Sequence, residues 1–516
     1  MKENLKNKIR WRVFLPAYII LAFAAFIGIY SSDTLVTSLK AFFNWSIGSF
    51  GWLYAMVTIA CLVLVIVLTF SKIGNLKIGG KDATPKYPFW TWFAMTLTGG
   101  VATGIVTWSV NEPLIYYGNV YGELEQLGIE PFSNEALHFA LARCFHNWSF
   151  IPYSIYALSG ILMAYIYFNK KEPLAVTSTL KPIFGEKISK GILRDIVDTL
   201  SMLAVALGLT TGLSVCITMI TTGLNYSYGI EKNLNIFIIV GIFIIISFSL
   251  SSYVGLDKGL KKLANINAYF YYSLLILLLV TGSTTFIFKI STSSLGLWFK
   301  EFFLWSLDSG SIGGDALVKS WTMYDWAVWI AYAPVTGIFL AMISKGRTVK
   351  EFMIVNLLLP SVFGIIWFSI WGLSALNMQI EGSVNLVQTL IDNNAVTALW
   401  AFLKNLPFGI GIIIIPINIF VIYISFVTAA DATSNNVASM CIKDVPIGSE
   451  APAQLKVLWG LTLGIVAIIL SAFGGSAQGV EGIKALGTAA GFVVLFIFTL
   501  QIISAIKTFF IDKLEE

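Results

Sequence analysis

The chain has 516 residues, of which 57% are hydrophobic and only 12% charged, and its formal net charge is +5. Apolar runs of about 20 residues, long enough to cross a bilayer, recur along the whole sequence, and no polar block is large enough to fold alone. The composition indicates an all-α membrane protein and excludes a soluble globular domain.

Hydropathy predicts twelve transmembrane helices in chain order. The expected spans are 11–30, 50–71, 88–108, 136–168, 192–224, 234–253, 259–289, 322–344, 351–375, 408–430, 454–473 and 483–510. The first span follows a basic segment and has no small-residue cleavage site behind it, which indicates a retained, cytoplasmic N-terminus.

Basic residues then fall in alternate loops, at 72–86, 170–194, 258–262 and 345–350. The stretch 109–135 between them has five acidic residues and no basic one. Because basic residues favour cytoplasmic loops, this alternation predicts that both termini are cytoplasmic. The positive charge therefore reflects topology, and nothing in the sequence indicates nucleic-acid binding.

Three spans are interrupted by small or polar residues: the third at 99–104, the eighth by Pro334 and Gly337, and the tenth at 428–433. Such residues either allow close helix packing or let a helix unwind and expose carbonyls to an ion. The third and eighth spans lie five helices apart. This spacing favours two five-helix repeats of opposite orientation around a site at the membrane midplane.

Residues 321–332 place large aromatic side chains and one acid, Asp325, within about three helical turns. Aromatic faces attract organic cations, at roughly 0.5–2 kcal/mol per contact as water is excluded, and an acid at membrane depth indicates a function or a partner. Positions 325, 329 and 332 share one helical face, and so do 149, 153 and 156. This pattern predicts a cation site between the fourth and eighth spans.

Several motifs resemble those of the betaine/choline/carnitine transporter family. They are the runs 320–329 and 339–352, Glu112-Pro113-Leu114, 145–148 with 152–156, 255–259, and 427–431. The resemblance covers about residues 10–510. It implies a secondary transporter with a LeuT-like inverted five-helix repeat core, usually trimeric, for solutes with a quaternary ammonium group.

The resemblance also implies a division of the chain. Expected are an N-terminus with two peripheral helices (1–87), a first repeat (88–290), an interfacial helix and outer loop (291–321), a second repeat (322–510) and a short cytoplasmic tail (511–516). The amphipathic stretch 292–306 is the expected interfacial helix. The short tail predicts solute supply that does not depend on osmotic shock. The absence of an organellar targeting segment suits a bacterial inner membrane.

In that family the substrate sits in an aromatic box between helices four and eight. The substrate-binding residues that the resemblance and the aromatic pattern indicate are Trp108, Trp148, Tyr153, Tyr156, Asp325, Trp326, Val328, Trp329 and Tyr332. Two of them depart from the family pattern, because Asp325 and Val328 replace aromatic residues. Two interpretations of Asp325 stay open: contact with the substrate, or a place on an access pathway or against a neighbouring helix. Glycine betaine, choline or carnitine is the first substrate class, and an amino-acid-like or partly methylated zwitterion is the second.

The resemblance implies ion ligands as well, contributed by the third, fifth and tenth helices. They are Thr98, Val101, Ala102, Thr210, Thr211, Thr428 and Ala429, the last replacing a hydroxyl residue. Sodium-independent exchangers of the family carry an arginine in the seventh helix, where this chain has Asn267. Sodium coupling is therefore favoured over exchange, with no other cofactor expected. An enzyme or a channel is disfavoured, because the chain lacks a nucleophile–base pair, a metal cluster and a repeated filter motif.

Overall fold

The computed structural model describes residues 8–100, 102–254, 259–393, 396–443, 451–473 and 477–514. The regular structure of these residues is helical, and two isolated bridges, Ile9 with Ile442 and Lys77 with Thr348, are their only extended pairings. Several features predicted from sequence lie outside the described residues: the first basic positions of the N-terminus, Val101, most of the 255–259 motif and the end of the tail. The side chains of Ala102 and of 431–432 also lie outside the description.

The α-helices are numbered here in chain order. They are α1 Trp11–Tyr30, α2 Ser32–Phe70, α3 Phe89–Gly100, α4 Ala102–Gly118, α5 Asn134–Asn147, α6 Phe150–Phe168, α7 Val176–Phe184, α8 Gly191–Tyr228, α9 Leu234–Val254, α10 Gly259–Thr281, α11 Thr284–Leu307, α12 Tyr324–Ile343, α13 Val349–Met353, α14 Leu359–Ile380, α15 Leu386–Asn393, α16 Thr397–Lys404, α17 Gly411–Met440, α18 Ala453–Phe473 and α19 Ala477–Ile506. Wider π-helical turns occupy Asp315–Met323, Ile354–Leu358 and Lys507–Ile511.

Among the described residues, nine helical stretches are long and apolar enough to cross a membrane. Shorter apolar stretches lie at Trp11–Phe23 in α1 and at Ala453–Ile469 in α18. The prediction of a multi-pass, all-helical protein is therefore confirmed. The total of twelve spans and the inverted repeat stay predictions.

The seventh span is shorter than expected. Helix α10 ends at Thr281, eight residues before the predicted end at 289, and α11 already begins at Thr284. The backbone of Ser283 leaves the helical region (φ −81°, ψ 75°), although the apolar residues after it continue the hydropathy signal. A separate helix, α11, does cover the expected interfacial stretch 292–306, but it begins eight residues earlier, at Thr284. Its interfacial position and the domain boundary at 290/291 stay predictions.

The predicted start of the second span and both predicted limits of the tenth were also wrong. Helix α2 begins at Ser32, well before the predicted start at 50. Helix α17 begins at Gly411, because Phe408 adopts the left-handed conformation (φ 59°) just after Pro407. It continues to Met440, ten residues past the predicted end. Hydropathy finds the apolar centre of a helix but not its polar ends. It therefore placed the start of α2 too late and the end of α17 too early.

Arg10 brings three distant elements to one face of the molecule. Its guanidinium lies 3.2 Å from Asp195 and 2.6 Å from Asp198 near the start of α8, and it also donates to the carbonyl of Met440 at the end of α17. Asp198 is 1% exposed, so this is a largely buried ion pair. The starts of α1 and α8 and the end of α17 therefore share the face that the basic-loop pattern predicts to be cytoplasmic.

Helices α6 and α12 pack against each other and hold the predicted aromatic residues. The Ser159 hydroxyl donates to the carbonyl of Ala333 at 3.0 Å. A Cβ added at Gly337 would lie only 2.4 Å from the Ser159 Oγ, so the contact requires glycine there. Small residues at the interface thus let the two helices approach closely, which brings the aromatic side chains nearer the N-terminal ends of α6 and α12 within reach of one another.

Candidate functional site

The fourth span is broken in the middle, contrary to the single helix expected over 136–168. Helix α5 ends at Asn147 and α6 begins at Phe150, with Ser149 in a non-helical conformation (φ −129°, ψ −122°). Pro152 follows within one turn. Because proline has no N–H and its ring clashes with the carbonyl four residues earlier, it releases the carbonyl of Trp148.

Two glycines make room for Trp148 at this break. A Cβ added at Gly364 in α14 would lie 2.5 Å from the Trp148 carbonyl oxygen, and one added at Gly104 in α4 would lie 3.1 Å from the Trp148 ring. The ring of Phe368 in α14 also packs against the Trp148 ring, with the two centroids 5.5 Å apart. The Trp148 backbone and indole are thus held by two helices, α4 and α14.

Three aromatic rings of the predicted box lie around a fourth, that of Trp329 on α12. Its ring centroid lies 6.0 Å from that of Trp148, 5.2 Å from Tyr153 and 4.7 Å from Tyr156. All four side chains are at most 7% exposed, so they are enclosed by protein and do not face lipid. We call these four residues the Trp329 cluster.

A buried acid orients one member of the cluster. Glu112 of α4 is 1% exposed and accepts a hydrogen bond from the indole Nε1 of Trp148 at 2.6 Å. Its other oxygen accepts from the Asn147 side-chain amide and from the Tyr116 hydroxyl, each at 2.9 Å. Hydrogen bonds to an ionised acceptor are short and about twice as strong as neutral ones. Glu112 therefore fixes the plane of the Trp148 indole.

Asp325 lies on α12, one turn before Trp329 and on the same helical face. Its side chain is 9% exposed, so it is buried in protein. A buried position one helical turn before Trp329 leaves both interpretations of this acid open.

Two further predicted box residues point away from the Trp329 cluster. Trp326 is fully buried and its ring lies 6.0 Å from that of His146, in the packing between α5, α11 and α12. Val328 faces α19, where a Cβ added at Gly487 would lie 3.5 Å from it. The geometry gives both residues a place in helix packing.

Trp108 and Tyr332, the remaining predicted substrate-binding residues, contact residues outside the Trp329 cluster. The Trp108 ring packs edge-to-face on Trp321 with a centroid distance of 5.6 Å. The Tyr332 hydroxyl donates to the backbone carbonyl of Gly208 in α8, and its ring lies against that glycine. Tyr332 therefore connects α12 to α8, next to the predicted ion ligands of the fifth span.

The four threonines predicted as ion ligands share one geometry. The hydroxyls of Thr98, Thr210, Thr211 and Thr428 each donate to the carbonyl four residues earlier, at 2.8, 2.9, 2.8 and 2.7 Å. All four residues are buried. A hydroxyl that donates in this way keeps its lone pairs as acceptors, which is the form that coordinates a cation.

The other predicted ion ligands contribute no side-chain oxygen. Val101 lies outside the described residues. Ala102 begins α4, and the carbonyl of Ala429 accepts a hydrogen bond from the Thr433 hydroxyl at 2.8 Å. Near Thr428, Asn267 of α10 donates to the Ser425 hydroxyl of α17 at 2.8 Å. The neutral amide of Asn267 thus connects α10 to α17 about one turn before Thr428.

Sequence reasoning did not assign Glu112, Asn147, Tyr116 or Phe368 to the site. Asn147 and Trp148 lie 31 to 36 residues along the chain from Glu112 and Tyr116, their hydrogen-bond partners in α4. No local periodicity in the sequence therefore reveals these contacts. One signal was available. Glu112 is an acid just after the predicted third span, and acids at membrane depth are rare, paired and commonly functional.

Comparison with known proteins places the whole chain in context. The family model described as "BCCT, betaine/carnitine/choline family transporter" matches residues 12–513. The glycine betaine transporter OpuD of Bacillus subtilis is 31% identical over 470 residues, covering 90% of this chain and 88% of that protein. The ectoine/hydroxyectoine transporter of Virgibacillus pantothenticus is 28% identical, covering 89% and 90%. A solved structure, the substrate-bound outward-open state of a Na+-coupled sialic acid symporter, is similar with 13% identity and a TM-score of 0.49, covering 89% of this chain and 86% of that one.

Proposed function

Because the chain belongs to the betaine/carnitine/choline family of transporters, and is thus a membrane transporter and not an enzyme, we propose that it imports a small betaine-type solute. Glycine betaine, choline, carnitine and their close relatives form the substrate class. Transport is secondary active and proceeds by alternating access. The substrate's quaternary ammonium group binds at the Trp329 cluster.

The Trp329 cluster is the observation that supports this proposal most strongly. A methylated ammonium has no N–H to donate, so it is held by aromatic faces and not by hydrogen-bond acceptors. Three rings within 6.0 Å of Trp329 provide such faces in a buried setting. At up to about 2 kcal/mol for a desolvated cation–π contact, each ring contributes roughly 30-fold in affinity.

Uptake of labelled glycine betaine into proteoliposomes tests the proposal. Trp329→Leu is expected to raise the half-saturating concentration by up to roughly 30-fold. Trp326→Leu is the matched control, because it removes a buried indole from the same helix but outside the cluster. Equal effects of the two substitutions on affinity would reject the assignment of the cation site.

Sodium coupling is the second part of the proposal. The buried hydroxyls of Thr98 and Thr428, and those of Thr210 and Thr211, are hard oxygen ligands of the kind that suit sodium. Ala429 supplies only its backbone carbonyl. The test compares uptake driven by an inward sodium gradient with counterflow in sodium-free buffer. Uptake that needs sodium supports symport, whereas full counterflow without sodium identifies an exchanger.

Asp325 supports a second candidate substrate class. A buried acid one turn from Trp329 suits a substrate with N–H donors or a second positive group, such as a partly methylated or amino-acid-like zwitterion. A relative named as an ectoine/hydroxyectoine transporter is 28% identical to this chain. Competition of uptake by dimethylglycine against glycine betaine separates the two classes, since stronger competition by dimethylglycine favours the second.

The finer architecture belongs to the same proposal. Twelve spans form a LeuT-like core of two inverted five-helix repeats, with both termini on the cytoplasmic side of a bacterial inner membrane. The protein assembles as a homotrimer in contact with membrane lipid. Labelling of single cysteines introduced in alternate loops tests the topology, and the mass of the purified protein in detergent tests the trimer.

A further inference from the structure

The side-chain amide of Asn267 in α10 is buried, but only one of its two ends is satisfied. Asn267 is 0% exposed, and its Nδ2 donates to the Ser425 hydroxyl of α17 at 2.8 Å. Its Oδ1 accepts no hydrogen bond from any residue that the structure describes. Because an unpaired buried carbonyl keeps its full desolvation penalty, this oxygen indicates a ligand that does not belong to the polypeptide.

Two buried hydroxyls fix the orientation of this amide. The Ser425 hydroxyl, which accepts from Asn267, also pairs with the Tyr271 hydroxyl, one turn further along α10, at 2.7 Å. Both of these side chains are 0% exposed. With Nδ2 held by Ser425, the carbonyl oxygen of Asn267 remains available as an acceptor.

The amide lies beside the predicted ion-site residues of α17. Ser425, Thr428 and Ala429 are neighbours on one helical face, because positions three and four apart on a helix lie side by side. The side chain of Ala429 has no oxygen to offer. Helices α3, α10 and α17 also pack against one another in pairs, and α3 carries Thr98. Asn267 is thus placed at the junction of the helices that carry the predicted ligands.

The chemistry of this junction suits a monovalent cation. An amide carbonyl is a hard oxygen donor, and the side chains of Asn267, Ser425 and Thr428 are neutral, whereas divalent cations take carboxylates. We propose that Oδ1 of Asn267 is a sodium ligand and supplies the oxygen that Ala429 lacks. This inference rests on the sodium coupling proposed above and adds a residue of α10 to that site.

Thermal unfolding of the purified full-length protein tests the proposal without any measurement of transport. Sodium chloride is titrated against potassium chloride at constant total salt, and the rise in melting temperature gives the Kd of sodium, because an ion that binds the folded state stabilises it. Asn267→Leu removes the oxygen and should raise this Kd about tenfold. Addition of Ala429→Ser to Asn267→Leu should bring the Kd back to within about threefold of the wild type, because the serine hydroxyl returns an oxygen to the same helical face.

Asn418→Leu is the matched control. Asn418 of α17 is also 0% exposed, and neither its side-chain nitrogen nor its oxygen has a hydrogen-bond partner among the described residues, but it lies about two turns before Ser425. Its loss should leave the Kd of sodium unchanged. Ser425→Ala guards against misfolding of Asn267→Leu, because it keeps the amide oxygen and removes only the hydroxyl that holds it. This variant should raise the Kd about threefold.

The outcomes separate this inference from the proposed sodium coupling. An unchanged Kd in both Asn267→Leu and Ser425→Ala overturns it, and so does an equal rise in Asn418→Leu or a failure of Ala429→Ser to restore binding. If Thr428→Ala weakens sodium binding while the Asn267 and Ser425 variants do not, the proposed sodium site stands without Asn267. If sodium does not stabilise the wild type at all, the sodium coupling fails, and the assignment of Asn267 fails with it.

Discussion

Glu112→Gln is the substitution that tests most sharply how the site is organised. The glutamine keeps the shape of the side chain and one carbonyl oxygen, which still accepts from Asn147 and Tyr116. It presents an NH2 group to the indole N–H of Trp148, where two donors then face each other. The 2.6 Å hydrogen bond from Trp148 is therefore the one that is lost.

The size of the effect follows from that one bond. A hydrogen bond to a charged group contributes about 1.5–3 kcal/mol, and about 1.4 kcal/mol corresponds to a tenfold change in affinity. Once released, the Trp148 ring no longer holds its place beside Trp329. We expect glycine betaine to bind roughly 10- to 150-fold more weakly, with a lower melting temperature of the unliganded protein.

A double-mutant cycle with Trp148→Phe separates this effect from general destabilisation. Phenylalanine removes the indole N–H, so Glu112→Gln should add little to the loss of affinity in that background, because coupled residues are not additive. Glu123→Gln is the control, since Glu123 accepts a hydrogen bond from Trp321, which lies outside the cluster. Additive effects of Glu112→Gln and Trp148→Phe, or an equal loss of affinity in Glu123→Gln, would refute the role given to Glu112.

Three further predictions address other parts of the site. Gly364→Ala places a Cβ 2.5 Å from the Trp148 carbonyl and should cost about 1–3 kcal/mol of stability through overpacking. Thermal unfolding measures this loss of stability. Gly296→Ala is the control, because its added methyl meets nothing within 4 Å. Asp325→Asn should weaken dimethylglycine more than glycine betaine if the acid contacts substrate, and an unchanged ranking of substrates in competition assays places Asp325 outside the site. Thr428→Ala should raise the sodium concentration for half-maximal uptake about tenfold, because the loss of one oxygen ligand costs about 1.5 kcal/mol. An unaltered sodium dependence would show that Thr428 is not part of the ion site.

The pairing of aromatic residues across two helices could be predicted because it depends on helical periodicity. Tyr153 and Tyr156 lie three residues apart on one face of α6, and Trp329 lies on the facing side of α12. Both faces carry large aromatic side chains, so burial brings them together. Periodicity also predicted the helical face of Tyr332. It could not predict the direction of the ring, because the Tyr332 hydroxyl donates a hydrogen bond to the carbonyl of Gly208 in α8.

The break at Trp148 could not be predicted in the same way. A proline inside an apolar run either kinks a helix or interrupts it, and the outcome depends on what accommodates the released carbonyl. Here that is Gly364, more than 200 residues away along the chain. The orientation of Trp148 likewise depends on Glu112, a partner 36 residues distant. Long-range contacts of this kind leave no local pattern in a single sequence.

Binding of a neutral analogue of glycine betaine tests the central claim most directly. In 3,3-dimethylbutanoate a carbon atom replaces the quaternary nitrogen, so the shape and the carboxylate remain while the positive charge is lost. If the Trp329 cluster holds the cation, the analogue binds at least about 30-fold more weakly than glycine betaine, and Trp329→Leu reduces that difference by the share of one ring. Equal affinities of the two compounds for the wild-type protein would contradict it.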